Sequence, residues 1–172
     1  APTGAETIIV DLKDEMADAC FLVLKALATY DGGYWNTTGI ARAVTVRGLI
    51  DAMKERGCTV LSHGATGRGN DQVRFERYTN VLAPEMSIYA PWRDPELLEQ
   101  FPGRKEMAEY LQQKGIEADT GVRKRYSTDA NLAGLSHEAE DLEELDTSCQ
   151  IVEPIMGVWP EAAPDRVESI TL

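Results

Sequence analysis

Positive charge is what this chain has least of: 17 Lys and Arg stand against 29 Asp and Glu, a formal net charge of −12 at pH 7. Nucleic acid and anionic membrane both require a basic footprint, so neither fits as a partner. Cysteine is scarce too. Cys20, Cys58 and Cys149 are far apart and odd in number, which excludes a disulfide framework and leaves no metal-ligand spacing. No run approaches the roughly 18 consecutive apolar residues that a spanning helix needs. The opening APTGAETIIVDLKDE has no basic stretch followed by an apolar one, so nothing there reads as a secretory signal. Histidine occurs only at His63 and His137, with no Ser-His-Asp order. These absences predict a soluble, cytoplasmic protein.

What is present is ordinary for a globular chain of 172 residues, with 43% hydrophobic and 27% charged residues. The length fits one domain or two small ones. Charge is unevenly placed: from Glu138 to Leu172 there are ten acidic residues and one basic residue, Arg166. The cluster Glu138, Glu140, Asp141, Glu143, Glu144 and Asp146 lacks the ligand-and-glycine order of a calcium loop and reads as a solvated face.

The periodicity predicts a strand over Thr7 to Leu12, then a helix from Asp14 to Tyr30 with Met16, Ala19, Cys20, Leu24 and Leu27 on one face. Asp31-Gly32-Gly33 breaks it, and Tyr34 to Thr38 reads as a polar-aromatic loop. A second helix is predicted over Ile40 to Arg56, stopped by Gly57. Cys58 to Ser62 reads as a strand that buries Cys58. A glycine-rich loop, a helix over Gln72 to Leu82 and a strand over Met86 to Ala90 follow. This order is that of an α/β fold in which helices cover a parallel sheet. Two short helices, Asp94 to Phe101 and Arg104 to Lys114, come after Pro91. The composition shift places a domain boundary near 91–93, giving domains 1–91 and 92–172. Trp35, Trp92 and Trp159 are expected to pack inside, and the closing VESITL reads as an unfinished strand.

The chemistry concentrates in SHGATGRGND, residues 62–71, between a predicted strand and a predicted helix. In open α/β sheets such loops face ligands, because backbone amides and helix N-termini point outward there. The sequence is neither a Walker loop nor GxGxxG. Asn70, Asp71 and Arg74 place an amide, a carboxylate and a guanidinium within one turn, with Asn70 and Arg74 sharing a face. Such a set can grip a zwitterion, the carboxylate holding an ammonium and the guanidinium a carboxylate. The alternative is Asp71 as a helix cap beside a surface Arg74. His63 is expected to make a loop hydrogen bond, with a general-base role as the alternative.

At these residues the chain closely resembles the argininosuccinate synthase family. SHGATGRGNDQVRFE is nearly that family's aspartate- and nucleotide-binding loop, and the resemblance runs on in order. It includes Tyr34 with NTTGIAR, Tyr89-Ala90-Pro91-Trp92-Arg93, Gly103-Arg104, Tyr126 to Leu132, Leu135 to Ala139, and Ile155-Met156-Gly157. The resemblance implies an α/β, parallel-sheet nucleotide-binding domain of the ATP pyrophosphatase type, akin to adenine nucleotide α-hydrolases. The start of an α+β synthetase domain would follow it. It implies a carbon–nitrogen ligase of arginine biosynthesis that joins citrulline and aspartate, with ATP yielding AMP and pyrophosphate. The citrulline ureido oxygen would attack the α-phosphate, and the aspartate amine would then displace AMP. The family's citrulline set falls on Tyr34, Asn70, Arg74, Ser127, Ser136 and Glu138. Its aspartate set falls on Thr66, Asn70 and Asp71, and its ATP set on Gly64, Thr66, Asp71 and Asp129. No catalytic residue and no resident metal are implied. Mg2+ would ride on ATP, and the full-length family member would be a homotetramer.

Two departures stand beside these matches. The family's opening strand and SGGLDTS pyrophosphate loop are not in this sequence, nor is its C-terminal part, with the rest of the synthetase domain and the tail helix used for tetramer formation. A smaller departure is Gly39, where many relatives carry a citrulline-contacting serine. The chain is therefore expected to be an internal portion of a synthase. Alternatives are a non-catalytic amino-acid-binding module, or a subunit completed by a chain that carries the missing loop. With that loop goes the binding energy for the triphosphate, so the purified 172-residue chain is expected to form no argininosuccinate. Steady release of AMP and argininosuccinate in a coupled assay would contradict this.

Overall fold

A computed structural model describes residues 3–30, 32–67, 69–116 and 126–171. The chain divides into two compact units, residues 1–123 with 131–133 and residues 124–130 with 134–172. Residues 92–116 thus group with the first unit.

Helix α1 (Lys13–Lys25) buries Met16, Ala19 and Val23, a stripe at the 3- and 4-residue spacing of a one-sided helix. It stops five residues before the predicted end. Leu27 takes a left-handed φ of 47°, and the amide of Ala28 turns back to the Val23 carbonyl at 3.0 Å. That is a Schellman end with leucine in the position glycine usually holds. The following residues, predicted as helix and then loop, form a small hairpin. In it β1 (Thr29–Tyr30) pairs antiparallel with β2 (Tyr34–Trp35), and Trp35 is exposed rather than packed.

Helix α2 (Thr37–Glu55) starts three residues earlier than its periodicity implied and ends as expected. Gly57 has φ 66°, and the Cys58 amide reaches back to the Met53 carbonyl at 2.9 Å. Cys58 itself is exposed, contrary to expectation, because β3 begins only at Val60. Strand β3 (Val60–Ser62) pairs in parallel with β4 (Ser87–Tyr89), in the register Val60–Ser87, Leu61–Ile88 and Ser62–Tyr89. Helix α3 (Asn70–Leu82) lies between them in sequence, so this is a β-α-β crossover. A 3-10 turn at Pro91–Arg93, α4 (Pro95–Gln100) and α5 (Arg104–Gln113) follow. Asp94 caps α4, its carboxylate accepting from the amides of Glu96 and Leu97.

The core lies in the seam between α2 and α3 and continues into the turn after α3. Val46, Ile50, Ala83 and Met86 are buried there, with Met53, Phe75 and Tyr78 packed against them. The stretch Thr7–Leu12 is not a strand. It pairs with no strand among the described residues, and Ile9 is 93% exposed. Leu12 packs on α2, its methyls lying where a side chain on Gly48 would project. A β-branched run makes a strand only when a neighbour takes up its backbone groups.

The second unit contains β6 (Gly134–Glu138) and all of β5 (Ser127–Asn131) but its last residue, the two strands paired in one two-stranded sheet. Short 3-10 turns follow at Glu140–Glu143, Cys149–Ile151 and Pro160–Ala162. The acidic residues Glu140, Glu143, Glu144 and Asp146 are exposed. Val167 and Ile170 are exposed and not in a strand, while Leu172 of the predicted closing strand lies outside the described residues.

Ile50 is 3% exposed at the middle of the α2–α3 seam, whereas Val73 on α3 is 58% exposed. Ile50→Ala is expected to cost about 2–5 kcal/mol of stability, and Val73→Ala no more than about 0.5 kcal/mol. Denaturant titration of the two variants measures the difference.

Candidate functional site

The parallel pair sets the geometry of the glycine-rich loop. It leaves the carboxyl end of β3 at Ser62 and enters α3 at Asn70, with Gly69 in the cap position and no side chain capping it. Asp71 is thus one residue inside the helix and is not its cap. Instead its carboxylate binds two arginines. Arg42 of α2 donates from Nε (3.0 Å) and from a terminal guanidinium nitrogen (2.9 Å) to Oδ2, and Arg74 donates to Oδ1 at 2.9 Å. The three side chains are between a quarter and a third exposed. Burial pushes the Asp71 carboxyl upward, but the hydrogen bonds and charges of Arg42 and Arg74 outweigh it and hold it below its ordinary value.

Other contacts fix the loop. Gln72 donates its side-chain amide to the Gly67 carbonyl at 3.0 Å. A side chain on Gly67 would meet the Trp92 carbonyl at 3.0 Å, whereas beside Gly64 a Cβ would meet nothing within 4 Å. Gly64, Thr66 and Asn70 are exposed. Arg68 lies outside the described residues.

His63 is 7% exposed and does not make the expected loop hydrogen bond through its ring. Among the described residues neither ring nitrogen has a partner, and the imidazole stacks on Phe75 with centroids 5.1 Å apart. Its backbone amide alone is engaged, with the Tyr89 carbonyl at 3.3 Å. Burial lowers the imidazole pKa from the usual 6.5, with Glu76 opposing and Arg93 adding to that shift. Buried and stacked in this way, the ring packs against Phe75.

A separate cleft of 490 Å³ lies beside β4, lined among others by Glu76, Ile88, Tyr89, Arg93 and Asp94. Arg93 pairs with Glu76 at 2.6 Å, and the Tyr89 hydroxyl donates to Asp94 at 2.7 Å. None of the residues expected to bind substrate lines it. The loop, not this cleft, carries convergent polar chemistry.

A sequence model described as "Arginosuccinate synthase N-terminal HUP domain" matches residues 2–117. The chain belongs to the argininosuccinate synthase family. That is a family of ATP-using ligases of arginine biosynthesis, and the matched part is its nucleotide-binding α/β domain. Of the residues that the synthase resemblance singled out, Gly64, Thr66, Asn70, Asp71 and Arg74 fall on the loop and the first turns of α3. Tyr34 falls on β2, half-exposed, its ring 4.8 Å from that of Tyr30. In the second unit Ser127 and Asp129 are two apart on β5, and Ser136 and Glu138 two apart on β6, so each pair shares one face of its strand. Between them His137 contacts Thr128 through Nδ1 at 2.9 Å. The space a serine would use at Gly39 is filled by the Asn36 amide.

Arg42 was not among the expected site residues. It lies 29 positions before Asp71, and only the packing of two helices brings them together.

The two lowered pKa values act on stability in separate windows. Asp71 is ionised in the native state below the ordinary 3.8, so its contribution is complete above 3.8 and is lost as pH falls below it. His63 is held neutral, so the unfolded chain gains protons first and stability declines as pH falls below 6.5. His63→Phe should therefore flatten the decline that starts near 6.5, and Asp71→Asn the one that starts near 3.8. Urea midpoints measured from about pH 2 to about pH 8, a range that brackets both titrations, check the assignment for both variants.

Proposed function

We propose that this chain is the part of an argininosuccinate-forming ligase that holds ATP and the two amino acids. In that reading the loop at 63–69 receives the nucleotide, Asp71 faces the aspartate ammonium, and Arg74 faces the citrulline carboxylate. Thr66 and Asn70 complete the aspartate contacts, Tyr34, Ser127, Ser136 and Glu138 those to citrulline, and Gly64 and Asp129 those to ATP. The observation that carries the proposal is the placement of Asp71. A carboxylate at the first turn of α3, beside an exposed glycine loop at a strand's carboxyl end, is positioned for a ligand rather than for capping.

The chemistry asks for alignment and charge neutralisation more than for a nucleophilic side chain. Citrulline's ureido oxygen attacks the α-phosphate and pyrophosphate leaves. The aspartate amine then attacks the activated carbon and AMP leaves. Held amides and guanidinium groups lower such barriers by orienting reactants and stabilising developing charge. The residues after 117 would begin the synthetase domain, and the whole protein would work in the cytoplasm as a tetramer.

Calorimetry on the 172-residue chain with L-citrulline, L-aspartate and ATP–Mg2+ tests this reading. Losing a hydrogen bond to a charged group costs about 1.5–3 kcal/mol, roughly 10- to 150-fold in affinity. Asp71→Ala should weaken aspartate binding by that factor more than citrulline binding, and Arg74→Ala should do the reverse. Because the two residues are paired, each substitution disturbs the other, so the ratio of the two affinities is the quantity to read. No heat from any of the three ligands at millimolar concentration, or an unchanged ratio, would overturn the proposal.

A further inference from the structure

A carboxylate has two oxygens and about four lone-pair positions for donors. On Asp71 three are filled: two on Oδ2 by Arg42 and one on Oδ1 by Arg74. Among the described residues no other donor reaches Oδ1. Arg74 sits on the same helix three residues on, and a single contact from it leaves the carboxylate free to turn about its terminal torsion. Arg42 comes from a different helix and places two donors on one oxygen, which removes that freedom.

We propose that Arg42 is a positioning residue, which fixes the Asp71 carboxylate so that Oδ1, with one acceptor position open, is the oxygen presented to a ligand ammonium. Arg42 itself does not touch the ligand. The identity of the ligand as an amino acid rests on the function proposed above; the orientation of the carboxylate does not. Two further observations agree with the assignment. Arg42 and Asp71 are both only partly exposed, so their contact is poorly screened. Arg42 and Arg74 are the charged groups that hold the Asp71 carboxyl below its ordinary value against the burial that raises it.

The test follows the Asp71 side-chain carbon by NMR as a function of pH in the 172-residue chain, with Arg42→Gln and Arg42→Lys variants. L-aspartate binding is measured by calorimetry on the same samples. Arg42→Gln should move the Asp71 titration upward and weaken L-aspartate binding about tenfold. Arg42→Lys should recover much of the titration, because the charge is kept. It should not recover the affinity, because one ammonium cannot reproduce two fixed guanidinium donors. An Asp71 titration unmoved by Arg42→Gln, with only the melting temperature lowered, would make Arg42 a mere helix tether and overturn the proposal. So would full rescue of binding by lysine. If the titration moves but no form, wild type included, binds L-aspartate, the positioning stands and the amino-acid reading of the site falls. Should the variants not fold, the wild-type Arg42 Nε–H signal decides, since it must shift in step with the Asp71 titration.

Discussion

Asp71 takes hydrogen bonds from arginines on two different helices, and much of the first unit is arranged around that contact. On α2 the residues Arg42, Val46 and Ile50 recur every four positions, one stripe that changes from charged to apolar along its length. On α3 Asp71, Phe75 and Tyr78, spaced four and then three positions apart, form a matching stripe. The seam between the helices is therefore dry at one end and ionic at the other. The ionic end lies where the loop enters α3, and there the partly buried charges stabilise each other only because each has a partner. Removing one would leave the others desolvated without compensation. The same carboxylate that ties α2 to α3 thus sits where the loop enters the helix.

The local sign of charge at this point is opposite to the sign of the whole. The chain carries −12, yet at the start of α3 two guanidinium groups face one carboxylate. Oriented backbone amides at a helix N-terminus add to that positive character. Net charge governs solubility and long-range association, whereas a site answers to the charges within a few ångströms. Whole-chain arithmetic, which argued against nucleic acid as a fit, carried no information about what the loop would attract.

The sequence was most legible where a feature depends on neighbours in the chain. Gly57 and Gly115 end their helices with left-handed φ, as their positions after periodic segments implied. The strand, loop and helix from 60 to 82 fall within two residues of expectation. Legibility failed where a feature depends on distant partners. Thr7–Leu12 has a strand's composition and no strand to pair with among the described residues. Leu27 ends α1 in a conformation leucine rarely adopts, so no breaker marked the place. Arg42 and Asp71 meet across 29 positions, and the local i,i+4 argument named Asn70 as the neighbour of Arg74 when the i,i+3 partner was the one engaged. His63 read as a polar loop residue because its burial against Phe75 is set by tertiary packing alone.

The two glycines of the loop differ in a way that gives it a front and a back. At Gly67 the protein's own backbone presses so close that no β-carbon fits without displacing the Trp92 carbonyl, while Gly64 stands against open space. The open position is Gly64, not Gly67. The rear is already occupied by the turn at Pro91–Arg93, the segment through which the chain continues toward α4 and α5. A shift of that turn would press on the loop through the Gly67 contact, whereas a ligand seated at Gly64 would leave it untouched. Occupancy and displacement are thus separable at two positions three residues apart, and an alanine at each would act on a different one of them.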